Sequence, residues 1–137
     1  MNQHPYLRAY MAGIVVPTFF LLFVATAFTV FRYIYNVPVP VERVIVFPMA
    51  VVPNAWGLWN VLFVALRSRM QLSIGLHGAL LWFLLAPFGI VVASLLNLPV
   101  PNTVTRALPI AAPVGLIVYY FAWKYLVGFF NRVQDIA

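Results

Sequence analysis

Four stretches of this chain can be accommodated only by hydrocarbon. Residues 9–31, 44–66, 72–96 and 107–130 are predominantly apolar, and none of them contains Asp or Glu. At a rise of 1.5 Å per residue, a helix of about 20 such residues crosses roughly 30 Å of bilayer core. Each stretch is therefore read as a transmembrane helix, and together they define an all-α integral membrane protein with four spans. The connectors and tails are short, so the 137 residues form a single transmembrane domain. The composition agrees: 65% of residues are apolar and 7% charged, against about 25% charged in an ordinary soluble domain.

The formal net charge of +6 is carried by residues placed singly at helix ends, which points to lipid headgroups rather than nucleic acid. Arg8, Arg67, Arg69, Lys124 and Arg132 fall on one side, and Arg32, Arg43 and Arg106 on the other. Five against three places the N- and C-termini in the cytoplasm, because short cytoplasmic segments retain Lys and Arg. Ala25-Thr26-Ala27 has the small-residue pattern of a signal-peptide cleavage site, but the apolar run continues through Phe28, Val30 and Phe31. The expectation is a multi-pass protein of the plasma (inner) membrane with an uncleaved first helix.

An internal repeat organises the spans. Asn36-Val37-Pro38-Val39-Pro40 returns as Asn97-Leu98-Pro99-Val100-Pro101, 61 positions later, and in the same register Phe47-Pro48-Met49-Ala50 faces Leu108-Pro109-Ile110-Ala111. The reading is two tandem helical hairpins, residues 9–66 and 72–130, forming a parallel repeat related by an axis along the membrane normal. Pro38 and Pro40, and their counterparts Pro99 and Pro101, fix φ and restrict the preceding residue, which ends a helix and stiffens each outer turn. The interior prolines, Pro17, Pro48, Pro53, Pro87, Pro109 and Pro113, each free a carbonyl four residues earlier and favour a kink there.

Within the second span, Pro53, Asn54, Gly57 and Asn60 fall in an arc of about 120° on a helical wheel, with Trp59 pointing away. A primary amide in hydrocarbon needs a hydrogen-bond partner, so this face is expected to pack against another helix, with Asn54 bonding across or capping the carbonyl released by Pro53, or to line a cavity. Gly75 with Ala79, and Ala111 with Gly115, provide the small-residue spacing that lets helices approach closely. His77 and Lys124 are the ionisable side chains well inside the spans. Lys124, flanked by Trp123 and Tyr125 as in an aromatic belt, lies within snorkelling reach of the interface. His77 reads as a buried histidine bonded to a neighbouring group, with a ligand role as the alternative.

The missing residues prune the function classes. Glu42 and Asp135, the only carboxylates, lie outside the spans, and cysteine is absent. This argues against proton coupling through a membrane carboxylate, a carboxylate metal cluster and thiolate chemistry. Length and helix count are similar to those of the small multidrug-resistance exporters, but that family needs a glutamate in its first helix, which residues 9–31 lack. Ser73 and His77, four apart, supply at most two parts of a nucleophilic site that needs a base and an oxyanion site to converge. No cofactor or metal is expected. The leading expectation is a small non-enzymatic bundle that binds lipid or a partner membrane protein, or serves as an accessory subunit, as a homo-oligomer. The alternative is an oligomeric channel or facilitator for a small neutral or anionic solute, lined by Asn54, Asn60, His77 and Lys124.

Overall fold

The computed structural model describes residues 4–42, 48–97 and 102–136. Among these the chain is helical and without strands, and four helical stretches are long and apolar enough to cross a membrane. Helix α1 is Pro5–Tyr33, α2 Pro48–Leu66 and α3 Ile74–Leu95. The fourth stretch is composite: α4, Asn102–Phe121, runs into a π-helical turn, Ala122–Val127, and continues as α5, Gly128–Val133.

The boundaries shift from the expected ones for local reasons. Helix α1 starts before Ala9 because Pro5 takes its first position, where a missing N–H is no loss. Helix α3 starts at Ile74 rather than Leu72 because Ser73 is its N-cap, with Oγ accepting from the Leu76 amide at 3.3 Å. The fourth stretch continues past Phe130 to Val133. Positions 44–47 of the expected second span, with Arg43, and Pro99 and Pro101 of the second outer turn, lie outside the described residues.

After α1 the chain turns back sharply. The Val37 amide donates to the Phe31 carbonyl at 2.9 Å, and Asn36 takes up the left-handed conformation, φ 54°, that asparagine tolerates better than most residues. Pro38 and Pro40 then sit at the centres of successive three-residue turns, closed by Val39 to Val37 at 2.8 Å and Val41 to Val39 at 3.0 Å. Arg32 and Glu42 form an exposed ion pair across this loop.

Helix α1 packs mainly along α2, and α3 along α4, while α2 and α3 touch far less. In lipid, apolar burial gives helices no reason to associate, so close approach depends on small residues and polar contacts. The first pair uses bare backbone: a Cβ on Gly13 would lie 2.6 Å from the Trp56 carbonyl oxygen and 2.8 Å from Gly57 Cα. The second pair uses notches filled by rings, with Gly78 receiving Trp123, Gly75 receiving Tyr120 and Gly115 receiving Trp82. Trp56, Leu81, Trp123 and Val127 make the main buried cluster, and Ala9, Ala12 and Ile136 a second one. Large apolar side chains such as Phe19, Phe20 and Phe23 point outward, as lipid-facing residues do.

Arg8 donates to the Gln134 carbonyl at 3.3 Å and Arg67 donates to the Ile136 carbonyl. Both ends of the described chain and the α2–α3 connection therefore meet at one end of the bundle, the terminal end. Asn36, Glu42 and the start of α4 mark the opposite, loop end.

Candidate functional site: a polar clasp, an aromatic seal and an apolar groove

The polar residues of the spans occupy three distinct settings. At the terminal end, Asn60 and Asn131 are completely buried and face each other as a reciprocal amide pair. Asn60 Nδ2 donates to Asn131 Oδ1 at 2.7 Å and Asn131 Nδ2 donates back to Asn60 Oδ1 at 3.0 Å, while Asn60 Nδ2 also donates to the Ala9 carbonyl at 2.7 Å. This clasp ties α1, α2 and α5 together. Asn60 is spoken for on every side that the structure describes.

Asn54 has a different environment. It is exposed, accepts from the Tyr10 hydroxyl of α1 at 2.5 Å and donates to the Ala50 carbonyl at 2.7 Å. The carbonyl released by Pro53 is that of Met49, so Asn54 caps its neighbour instead. It bonds across helices without facing an internal path. Of the arc read from the wheel, Gly57 and Asn60 are buried, whereas Pro53 is half-buried.

Above the clasp, His77 is 6% exposed and enclosed by aromatic rings. Its imidazole stacks on Trp59 at 4.8 Å between centroids, with Phe63 at 5.2 Å and Trp123 at 5.8 Å. Two reciprocal bonds hold it: Trp59 Nε1 donates to the His77 carbonyl at 2.7 Å, and His77 Nε2 lies 2.9 Å from the Trp59 carbonyl. A carbonyl can only accept, so Nε2 carries the proton. The Ser73 hydroxyl is engaged as a cap, and its residue meets His77 through the backbone, the His77 amide donating to the Ser73 carbonyl at 3.0 Å. Among the described residues no three of His, Cys, Asp and Glu gather as a metal site would require.

The two ionisable side chains of the spans lie in different settings, His77 buried and Lys124 not. Lys124 is exposed on the outer surface, with Nζ 5.6 Å from the Tyr120 ring centroid and 5.4 Å from that of Tyr125, cation–π distances. Trp123 is no part of a belt: it is fully buried, and its indole N–H has no hydrogen-bond partner. The π-helical turn carries both residues, so one faces the core while its successor faces lipid.

Towards the loop end, α3 and α4 diverge around an apolar groove of about 530 Å³. Ala86, Gly89 and Ala93 of α3 and Ala107 and Ala111 of α4 form its walls. Its deep end is closed by Trp82 and Tyr119, whose rings lie 5.2 Å apart. Trp82 Nε1 donates to the Ala112 carbonyl at 3.1 Å, and Trp56 Nε1 to the Tyr119 hydroxyl at 3.4 Å. Trp56 bridges Tyr119, at 5.0 Å, and Trp123, at 5.3 Å, so a continuous aromatic seal separates groove from clasp. Gly75 and Gly115 meet rings rather than each other's partners, while Ala79 is half-buried and Ala111 lines the groove. Of the residues that matter here, Asn131, Trp56 and Gly78 carry no reading from the sequence, and Trp123 reads there as part of an interfacial belt. Asn131 had the one usable signal, an amide in the residue directly after a span end.

No protein-family model matches the chain, and no curated protein or solved structure matches it either.

Proposed function

We propose that this is a non-enzymatic, multi-pass membrane protein whose bundle binds lipid, with its termini in the cytoplasm and its two hairpins derived from one duplicated unit. The observation that carries the lipid reading is the groove between α3 and α4: it has apolar walls in which small residues alternate with Leu85, Ile90 and Leu108, and it lies between two helices long and apolar enough to cross a membrane. Pockets of roughly 300–1,000 Å³ suit small ligands, and at this depth the ligand at hand is lipid. The duplication is supported by Asn36 and Asn97, 61 positions apart, both left-handed with φ of 54° and 51°. The cytoplasmic assignment rests on the basic-residue count, with Arg8 and Arg67 gathered at the terminal end.

A solute path through the protomer has less to stand on. Asn60 and His77 are consumed by internal hydrogen bonds, Asn54 faces outward, and Trp56, Trp123 and Tyr119 fill the middle of the bundle.

Native mass spectrometry of the protein extracted in mild detergent tests the lipid reading. Bound lipid at near-stoichiometric occupancy is expected; a protein that sheds all lipid while still folded overturns it. Solute flux in liposomes above that of empty vesicles, abolished by Asn60→Leu in folded protein, supports the channel instead.

A further inference from the structure

Resting on the lipid reading, we infer that the α3–α4 groove is a site for one acyl chain of an anionic glycerophospholipid, with Arg106 at its mouth holding the phosphate.

The groove's dimensions select the occupant. From Trp82 to Ala93 its α3 wall spans 11 residues, about 17 Å at helical rise, which matches one leaflet of a hydrocarbon core of roughly 30 Å. It stops where Trp82 and Tyr119 close it. A partner's transmembrane helix would need the full height. The width gives the same answer: about 530 Å³ over that length is a mean section of about 30 Å², some 6 Å across, whereas a helix with side chains is about 10–12 Å wide. One extended chain fits within it, whereas a helix can only lie across its open side.

Charge at the mouth selects the headgroup. Arg106 is exposed, adjoins the wall residue Ala107 and has no carboxylate partner among the described residues. At the same end Arg32 is paired with Glu42. Helix α4 begins at Asn102, so the positive end of its dipole lies at the mouth and adds to the attraction for an anion. The second apolar groove, between α2 and α3, has leucine-rich walls, and no basic residue adjoins any of its lining residues in the sequence. It lacks this combination.

The test uses full-length protein reconstituted in vesicles of equal phosphatidylglycerol and phosphatidylcholine, re-extracted and analysed by native mass spectrometry. Wild type is expected to retain one lipid and to favour phosphatidylglycerol at least fivefold. Ala111→Leu fills the groove and reduces retention of both lipids at least fivefold. Ala107→Leu, at the exposed mouth, does the same and serves if the first variant fails to fold by circular dichroism. Arg106→Gln keeps a bound lipid but brings the preference to near unity. Equal uptake of the two lipids by wild type overturns the proposal. So does undiminished retention in a folded groove-filling variant, or a lipid-free dimer that the groove-filling variants dissociate. If lipid is retained but ignores these substitutions, only the groove assignment fails. If folded wild type retains none, the broader lipid reading fails with it.

Discussion

Replacing Asn60 by leucine removes all three hydrogen bonds of the clasp at once: two with Asn131 and one with the Ala9 carbonyl. Interhelical hydrogen bonds in a membrane protein average about 0.6 kcal/mol each, so their loss amounts to about 2 kcal/mol. Asn131 is then left completely buried with an unpaired amide, which adds about 1 kcal/mol or more. The expected cost is therefore about 3 kcal/mol. Asn131→Leu breaks two bonds and leaves Asn60 its contact with Ala9, so it should cost less, about 2 kcal/mol. In the double variant neither amide is stranded, and the cost should fall short of the sum by more than 1 kcal/mol. Equilibrium unfolding in mixed micelles, followed by tryptophan fluorescence, measures all three. Additivity to within about 0.5 kcal/mol, the behaviour of independent sites, would refute the clasp as a coupled unit.

Gly13→Ala should destabilise the α1–α2 pair by about 1–3 kcal/mol, because its Cβ meets backbone that cannot give way. Gly128→Ala, whose nearest neighbour would be 3.6 Å away, should stabilise the same protein by about 0.5–1 kcal/mol through helix propensity; the reverse order in the same unfolding assay would contradict this packing. Deleting Ala122 should convert the π turn to α-helix and leave Asn131 aimed at α2, because the lost residue offsets the roughly 100° by which the wider turn lags, and a deletion variant destabilised as much as Asn60→Leu would contradict this. Glu42 should titrate below the ordinary carboxylate value, first because its own backbone amide bonds the carboxylate and second because Arg32 does. The depressed value favours the folded loop at neutral pH, an advantage lost as acidification passes through the folded pKa. Arg32→Gln should raise the midpoint only part of the way by NMR titration, and a complete return would reverse the order of causes.

The four spans were legible because length and apolarity decide them by themselves, as residues 72–96 against the observed Ile74–Leu95 illustrate. Which face of each helix points inward was much harder to read. In water an apolar stripe marks the core, but here Phe19 and Phe23 face lipid while Trp56 and Trp123 are buried, and hydropathy treats them alike. Only small and polar residues carry an inward signal in hydrocarbon. That signal found Gly57 and Asn60. It missed Asn131 because Asn131-Arg132 reads as an interfacial end, and it misjudged Trp123 because a tryptophan beside a lysine is the ordinary pattern of an interface. The π turn, which places both, has no signature in the residues that form it.

That turn changes the phase of the last helix. A residue wound into a wider turn retards every side chain beyond it, so the rotation that aims Gly115 and Tyr119 at α3 is not the rotation that aims Asn131 at α2. One helix thus serves two partners in succession, bracing α3 with its first half and α1 with its last. A straight, evenly wound helix would have held one hairpin and let the other slide.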